Sequence, residues 1–379
     1  MQELTWENTA HYLRETGRVP ASADIRVREL SGGVSNVVLR VDADGQAPFV
    51  IKQCRERLRV AMDWRARLDR IWAEEATLGV LAAILPPGTV PDVLFEDRPN
   101  YLFAMTCAPD DSATWKTHLM AGEADPRIAA RLGTILGTIH ADAPGQTMLH
   151  ETLADTSLFD ELRVDPYYRT IARAHPEIAP RIEALIASMD LPLNERTLVL
   201  GDFSPKNILV HAGGLILLDF ECAHRGDAAF DLGFFLSHLL LKTIHLESVP
   251  EVGERGSRRA AHAGNSGSAG ASPSRKRPFL DWLLGAHSRE LRRQCKNLSL
   301  EFWDSYLQRI QRGSWRSDGL VERAIEHTAA CLLARVDGKS PVEYLDAAGQ
   351  DRARRLALAA LQDPPRTWDT MLRLLERQN

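Results

Sequence analysis

Apolar runs separated by turn residues predict short strands in the first third of the chain. Each run is rich in Val, Ile, Leu or Phe and is bounded by Gly, Pro, Asn or Asp. The runs lie at residues 25–30, 37–41, 48–53 and 101–109. Between the last two runs, one apolar stripe recurs at helical spacing and predicts a helix over residues 63–85. The stripe consists of Ile71, Leu78, Leu81 and Leu85.

Two charged residues interrupt these apolar patterns. Lys52 lies inside the strand at 48–53, where an isolated charge is costly to bury. Glu74 falls near the middle of the helical stripe, whereas Glu75 falls at its edge. We therefore expect Lys52 and Glu74 to form an ion pair. Alternatively, Lys52 lies in solvent on an edge strand, and Glu74 and Glu75 are both solvated on the surface of their helix.

Helical patterns dominate the rest of the chain. A helix is expected from about Phe230, and Ser340, Pro341 and Glu343 resemble a capping box that would begin another. Further helices are predicted at residues 131–142, 320–335, 351–361 and 367–375.

One segment fits neither pattern. Residues 250–278 contain no aromatic side chain and are dense in Gly, Ser, Ala and Arg, so they cannot bury enough apolar surface to fold alone. Between Glu251 and Arg277, six Lys or Arg residues face two Glu residues. We interpret the segment as a low-complexity insertion without a role in chemistry. A tail for nucleic acid or an acidic partner is the alternative.

Composition limits the class of protein. At 379 residues the chain exceeds the usual size of a single core, so two lobes are expected. A net charge of −5 gives no general affinity for nucleic acid. The five cysteines are odd in number and lack metal-binding spacing, which indicates a reducing cytoplasm. The N-terminus does not resemble a signal peptide, and no membrane partner is expected. Oligomeric state stays open.

The most specific pattern lies at residues 197–234. Apolar runs at 207–210 and 215–220 flank Gly213 and Gly214, which predicts a hairpin. Asp202 precedes Asn207 by five residues, Asp219 lies at the end of the last run, and Glu221 follows that run. An acid, an amide and a second acid split by a hairpin are typical of phosphoryl transfer, in which hard oxygen ligands hold Mg²⁺. An ordinary hairpin with acidic ends is the alternative.

The segments GDFSPKN, LLDFE and GDAAFDLGF resemble the aminoglycoside phosphotransferase and choline kinase superfamily, which includes 5-methylthioribose kinase. The resemblance implies an α+β, two-lobed, protein-kinase-like fold. The small N-lobe, residues 1–106, would hold an antiparallel sheet and one helix. The larger C-lobe, residues 107–379, would be mainly helical and carry the insertion at about 250–278.

The same resemblance assigns roles to individual residues. It implies Asp202 as catalytic base, Asn207 and Asp219 as magnesium ligands, with Glu221 as a further carboxylate, and Asp231 as support for the catalytic-loop backbone. The nucleotide would be bound by Gly32, Gly33, Ser35, Asn36, Lys52, Glu74, Met105 and Cys107. Arg335 and Asp337 are candidates for the acceptor pocket, the alternative being a structural pair at a helix end.

The sequence therefore predicts an ATP- and Mg²⁺-dependent phosphotransferase acting on a hydroxyl of a small molecule. A methylthioribose-like sugar, an aminoglycoside, choline and a homoserine-like amino alcohol all stay open as acceptors. An aminoglycoside pocket should be rich in carboxylates, whereas an anionic substrate needs arginines. The family usually has a His where this chain has Leu200. A nucleotide-binding pseudokinase that acts as a scaffold is therefore the alternative.

Overall fold

The computed structural model describes residues 1–30, 36–55, 67–248 and 277–378. Three predicted phosphate-binding residues, Gly32, Gly33 and Ser35, lie outside these ranges, as do residues 250–276 of the predicted insertion. The described residues form a lobe built on an antiparallel sheet, followed by a mainly helical lobe. The predicted two-lobed α+β architecture is thereby confirmed.

The sheet of the N-terminal lobe has five antiparallel strands in the order β1-β2-β3-β5-β4. The strands are β1 (Ile25–Glu29), β2 (Asn36–Ala43), β3 (Phe49–Cys54), β4 (Val93–Asp97) and β5 (Leu102–Thr106). Two helices accompany them, α1 (Thr9–Glu15) and α2 (Arg70–Ile84).

Both faces of this sheet are covered. Successive strand residues point to opposite faces, so neighbours on β3 enter different cores. Ile51 packs in a cluster with Leu13 of α1, whereas Val50 packs in the main core with Ile71 of α2. Because the sheet is buried on both sides, every residue of β3 is buried, including Lys52.

The helices of the C-terminal lobe are α3 (Trp115–Met120), α4 (Pro126–Asp142), α5 (Thr147–Glu151), α6 (Ser157–Phe159), α7 (Thr170–Ala174), α8 (Ala179–Ser188), α9 (Ala228–Ser248), α10 (Arg277–Arg312), α11 (Leu320–Asp337), α12 (Ala347–Gln362) and α13 (Trp368–Arg377). A π-helix, Asp160–Arg169, joins α6 to α7. Short 3₁₀ turns lie at Arg98–Asn100, Ala143–Gly145 and Pro205–Asn207. The remaining strands are β6 (Ala113–Thr114), β7 (Thr197–Val199), β8 (Ile208–His211), β9 (Gly214–Leu217) and β10 (His224–Gly226).

Strands β8 and β9 form the hairpin that the sequence predicts. His211 pairs with Gly214 across the turn, and the Leu218 amide donates to the Asn207 carbonyl oxygen at 2.9 Å. Strand β6 pairs with β8, while β7 pairs with β10. The hairpin therefore brings Asn207 and the residues after β9 to the same open end.

Helix α9 forms the centre of the C-terminal lobe. Phe230, Phe234 and Phe235 are almost completely buried, and the Phe235 ring stacks on Trp115 with the ring centroids 5.8 Å apart. Among the described residues, Ala228–Glu247 is the one segment long and apolar enough to cross a membrane. Of its apolar window, 89% is buried inside the protein, as in the core helix of a globular domain.

Two predicted helix boundaries differ from the structure. Helix α2 begins at Arg70, after a turn at residues 68–69, and residues 63–66 of the predicted helix lie outside the described ranges. The predicted helix start at Ser340 is wrong. The Ser340 hydroxyl accepts a hydrogen bond from Arg335 at 2.9 Å, and the next helix begins at Ala347 after Asp346, whose carboxylate caps it.

The contact between α4 and α10 gives a testable prediction. A Cβ built at Gly133 would lie 2.2 Å from the Phe302 carbonyl oxygen, so the two backbones must separate to admit it. We expect Gly133→Ala to destabilise the protein by about 1–3 kcal/mol through overpacking, measured by chemical denaturation. Gly79→Ala is the control, because its Cβ would meet only the flexible Met148 side chain at 3.4 Å. An equal loss in both variants would contradict this account.

Candidate active site

A cavity of about 1010 Å³ lies where the two lobes meet. Residues from β2, β3, α2 and β5 line it on the N-terminal side, and residues from the β7–β8 loop, the π-helix and α11 line it on the other. The described residues predicted to contact nucleotide, metal and acceptor lie on this cavity, apart from Asp337. The lining includes Asn36, Lys52, Glu74, Met105, Cys107, Asp202, Asn207, Asp219, Glu221 and Arg335.

Lys52 is held between two carboxylates. Its ammonium nitrogen lies 2.6 and 2.8 Å from the two Glu74 oxygens and 2.8 Å from Asp219 Oδ1. Burial alone would lower the pKa of Lys52, but the negative charges of Asp219 and Glu74 outweigh it and raise that pKa. Lys52 is therefore charged at neutral pH, and Glu74 rather than Glu75 is its partner on α2.

Asp219 combines an unusual backbone with a strongly ionised side chain. Its φ of +69° places it in the left-handed region, which is uncommon for a residue other than glycine. Burial would raise the pKa of Asp219, but Lys52 and Lys206 outweigh burial and lower it to about 2. The carboxylate is therefore ionised at neutral pH and turned toward the cavity.

The oxygen atoms around Asp219 suit a magnesium ion. The Asn207 amide nitrogen donates to the Asp202 carbonyl oxygen at 3.0 Å, which directs its amide oxygen elsewhere. Mg²⁺ prefers such hard oxygens and completes its shell with water and substrate phosphates. Within the described ranges no three His, Cys, Asp or Glu side chains cluster to hold a metal. Asn207 and Asp219 could supply two such oxygens, with phosphate oxygens and water in the remaining positions.

Glu221 has partners that the sequence did not reveal. Its Oε2 accepts from Asn36 at 3.2 Å and from Arg70 at 3.3 Å. Arg70 opens α2, and its side chain is completely buried. Glu221 thus ties the segment after β9 to β2 and α2, besides lining the cavity. Asn36, predicted as a phosphate donor, takes part in the same network.

The carboxylate of Asp202 is 6% exposed and is held by two cations. Arg163 Nη2 and Lys206 Nζ lie 3.1 and 2.8 Å from Asp202 Oδ2. Arg163 also donates from Nε to the Gly201 carbonyl oxygen at 2.6 Å. The negative charge of Asp202 raises the pKa of Lys206 to about 12, so this lysine stays protonated. These contacts fix both the carboxylate and the loop that carries it.

Asp231 also holds the backbone of the loop that carries Asp202. This carboxylate is completely buried and accepts hydrogen bonds from the backbone amides of Leu200 at 2.7 Å and Gly201 at 2.9 Å. His140 Nε2 lies 3.4 Å from the same carboxylate, and its Nδ1 lies 2.9 Å from the Tyr306 hydroxyl. Asp231 therefore makes the backbone contacts that the resemblance implies, and the buried Leu200 side chain takes no part in them.

The two predicted acceptor-pocket residues separate in the structure. Arg335 lines the cavity, whereas Asp337 does not. Asp337 is instead bound by Arg354 through two hydrogen bonds of 2.7 and 2.8 Å and by His175 at 2.8 Å. The hydrogen bonds from Arg354 lower the pKa of Asp337. Asp337 is therefore a structural residue at the end of α11, and its prediction as a pocket residue is wrong.

Sequence comparison agrees with this arrangement. A sequence profile described as the phosphotransferase enzyme family matches residues 26–264, more than half of the chain. The chain belongs to this phosphotransferase enzyme family. The matched range contains the Lys52 strand, the Asp202 loop and the hairpin that carries Asp219. The predicted superfamily is confirmed.

This phosphotransferase family member is similar to several known proteins at low sequence identity. The methylthioribose kinase of Pectobacterium carotovorum is 27% identical over 264 residues, covering 63% of this chain and 66% of the relative. An amicoumacin kinase, solved with AMP-PNP and Ca²⁺, is 13% identical with a TM-score of 0.53 over 96% of each chain. A choline/ethanolamine kinase family protein of Mesorhizobium loti is 14% identical with a TM-score of 0.50, over 97% of this chain and 99% of that one. The two structures share the fold of this phosphotransferase.

Three cations of the phosphotransferase site were missed by sequence reasoning. Lys206 could have been predicted from the sequence, because it lies within the motif four residues after Asp202. No sequence pattern indicated Arg163, because this residue lies on a π-helix 39 residues before Asp202. Arg70 lies on the predicted helix, but its partner Glu221 is 151 residues away. Contacts at such separations depend on packing between elements.

Removal of the Asp231 carboxylate should destabilise the loop before Asp202. We expect Asp231→Ala to cost about 2–5 kcal/mol of folding free energy, because two buried amides lose their acceptors. Asp231→Asn should cost less, since one oxygen still accepts. Hydrogen exchange at Leu200 and Gly201, measured beside denaturation curves, tests the local effect. Unchanged protection of these two amides in Asp231→Ala would show that other groups hold the loop.

Proposed function

We propose that this protein is an ATP- and Mg²⁺-dependent phosphotransferase that acts on a hydroxyl group of a small molecule. The observation that carries the proposal is the arrangement of Lys52, Glu74 and Asp219 beside Asp202 and Asn207 on one cavity. Phosphoryl transfer depends on positioning and charge neutralisation, and these groups supply both. The methylthioribose kinase relatives and the neighbour solved with AMP-PNP support the same chemistry.

The N-terminal lobe would bind the nucleotide. The charged ammonium of Lys52 faces the cavity from β3 and would contact the phosphates, with Glu74 holding it in place. Asn36 would add an amide donor from β2. The segment from Met105 to Cys107, where β5 leaves the sheet, would meet the adenine edge through its backbone. Gly32, Gly33 and Ser35 stay predicted phosphate contacts.

The metal would be held by Asn207 and Asp219, with Glu221 as a further carboxylate on the same cavity. When bound, Mg²⁺ neutralises charge on the phosphate oxygens. Asp219 is ionised at neutral pH because of Lys52 and Lys206, so no proton has to leave before a cation binds.

Asp202 would orient the acceptor hydroxyl and accept its proton. Among the described residues, Arg163 and Lys206 both contact its Oδ2, which leaves Oδ1 to meet the hydroxyl. The two cations also restrict rotation of the carboxylate and neutralise nearby negative charge. The hydroxyl would thus be directed by a carboxylate that is fixed before substrate arrives.

Substitution of the two aspartates separates chemistry from binding. Asp202→Asn should lower kcat by at least about 10³-fold, because the amide cannot take the hydroxyl proton, with nucleotide affinity largely retained. Asp219→Ala should remove the Mg²⁺ dependence of nucleotide binding, measured by calorimetry with and without Mg²⁺. Asp190→Asn is the matched control, since that side chain is 85% exposed. Near-normal turnover in Asp202→Asn would exclude Asp202 as the base.

The alternative, a nucleotide-binding pseudokinase, is suggested by Leu200. A substitution at this position distinguishes the pseudokinase from an active phosphotransferase. Because Asp231 holds the loop through backbone amides, Leu200→His should leave nucleotide affinity unchanged and alter kcat by less than about tenfold, roughly 1.4 kcal/mol in barrier. A pseudokinase gives the opposite result. The wild type would then be inert on every acceptor, and Leu200→His would gain clear activity in a coupled ADP assay.

A further inference from the structure

The acceptor side of the cavity is strongly basic. This side consists of α3, the π-helix, the β7–β8 loop, α9 and the end of α11 with the residues that follow it. Of the charged side chains that line it among the described residues, five are cationic and one is anionic. They are Lys116, Arg163, Lys206, Arg335, Lys339 and Asp202.

Four of these cations have carboxylate partners. Arg163 and Lys206 share Asp202. Lys116 binds Glu343 and Lys339 binds Asp165, each at 2.7 Å, in partly exposed pairs at the rim. Exposed pairs of this kind are weak and exchange partners readily. Lys116 and Lys339 therefore remain available to bind a ligand, whereas Arg163 and Lys206 are paired with Asp202.

Arg335 differs from the other four. Within the described part of the chain it forms no ion pair, and its partners are neutral. They are the Tyr167 hydroxyl at 3.3 Å, the Ser340 hydroxyl at 2.9 Å and the Ser340 carbonyl oxygen. Its Nε is buried and has no hydrogen-bond partner. A half-buried guanidinium on a cavity wall without a carboxylate is costly, unless an anion completes its shell.

A neighbouring histidine reports the same positive field. His238 on α9 lines the cavity and is 7% exposed. Burial lowers its pKa well below the usual range, and four surrounding cations lower it further. They are Lys242, Arg335, Lys206 and Lys116. His238 is therefore neutral at neutral pH and adds no positive charge of its own.

The same wall is poorly suited to a cationic acceptor. Asp202 is the single carboxylate that lines this side among the described residues, and it already binds two cations. The faces of Tyr167 and Phe234 could have formed a cage for a quaternary ammonium. The Arg163 guanidinium already lies 5.9 and 5.7 Å from those ring centroids. A polyamine or choline would meet repulsion here.

We infer that the acceptor is a hydroxyl compound that carries an oxyanion, either a carboxylate or a phosphate, and that Arg335 binds this oxyanion. The inference rests on the proposed function. The planar guanidinium fork matches either group through paired hydrogen bonds. The hydroxyl oxygen bonds to the γ-phosphorus of ATP, the bond from that phosphorus to the bridging oxygen breaks, ADP leaves, and the hydroxyl proton passes to Asp202.

Matched acceptors test the charge requirement directly. ADP release is measured with ATP and Mg²⁺ for two matched pairs, glycerate with glycerol and ribose 5-phosphate with ribose. Methylthioribose, choline and an aminoglycoside are tested in the same assay. We expect kcat/KM for an anionic member to exceed that of its neutral partner by at least about tenfold. The two pairs distinguish a carboxylate from a phosphate. Preference for a neutral or cationic acceptor overturns the inference and leaves the proposed function standing.

Variants of Arg335 test the residue. Arg335→Gln should raise KM for the anionic acceptor about tenfold to hundredfold, with a smaller change in kcat and none in KM for ATP. Arg335→Lys should recover part of the loss. Arg373→Gln, an exposed arginine on α13, is the matched control. Equal losses on charged and neutral acceptors would mean a structural role and overturn the assignment.

A measurement of ligand binding tests the inference if the protein turns over none of these acceptors. If no acceptor supports ADP release although ATP binds, the proposed function fails. The inference is then decided by thermal stabilisation of the ADP-bound protein by glycerate and ribose 5-phosphate. Stabilisation of the wild type that Arg335→Gln loses supports an oxyanion site at Arg335. Absence of stabilisation, or stabilisation that persists in Arg335→Gln, overturns it.

Discussion

The ammonium group of Lys52 is the interaction on which the site depends, because it joins both lobes. Lys52 belongs to β3, Glu74 to α2, and Asp219 follows the hairpin of the C-terminal lobe. A buried ammonium must be paired, and loss of one partner leaves another charge uncompensated. Lys52 therefore couples the sheet and α2 of the N-terminal lobe to the segment that carries Asp219.

The second constraint is the position of the loop before Asp202. It is set by backbone groups, since Asp231 accepts from two consecutive amides and Arg163 donates to the Gly201 carbonyl oxygen. Gly201 itself has a φ of +73°, and a Cβ there would lie 2.7 Å from the Cys222 carbonyl oxygen. Such a loop tolerates an apolar side chain at Leu200, because the polar contacts that shape it come from elsewhere.

Charge divides the cavity into two ends with different roles. The carboxylates of Glu74, Asp219 and Glu221 line one end, together with Lys52. Toward α11 cations predominate, and the partners of Arg335 within the described residues are neutral. Asp202 lies where the two ends meet, held by Arg163 and Lys206. A phosphoryl group would pass between these ends, and the cations offset the negative charge that both substrates bring.

The sequence by itself determined the family, the two-lobed fold, the strands, the hairpin and the inward position of Glu74. The family and its two-lobed fold follow from the resemblance carried by the motifs at residues 197–234. The strands, the hairpin and the position of Glu74 follow from local patterns, because apolar periodicity and turn residues set which face of an element is buried. Apart from the pair of Lys52 and Glu74, the partners of the long charged side chains were decided by the tertiary structure. Asp337 binds Arg354, and Arg163 binds Asp202. Such partners come from distant elements whose separation is fixed only by packing, so no local spacing encodes them.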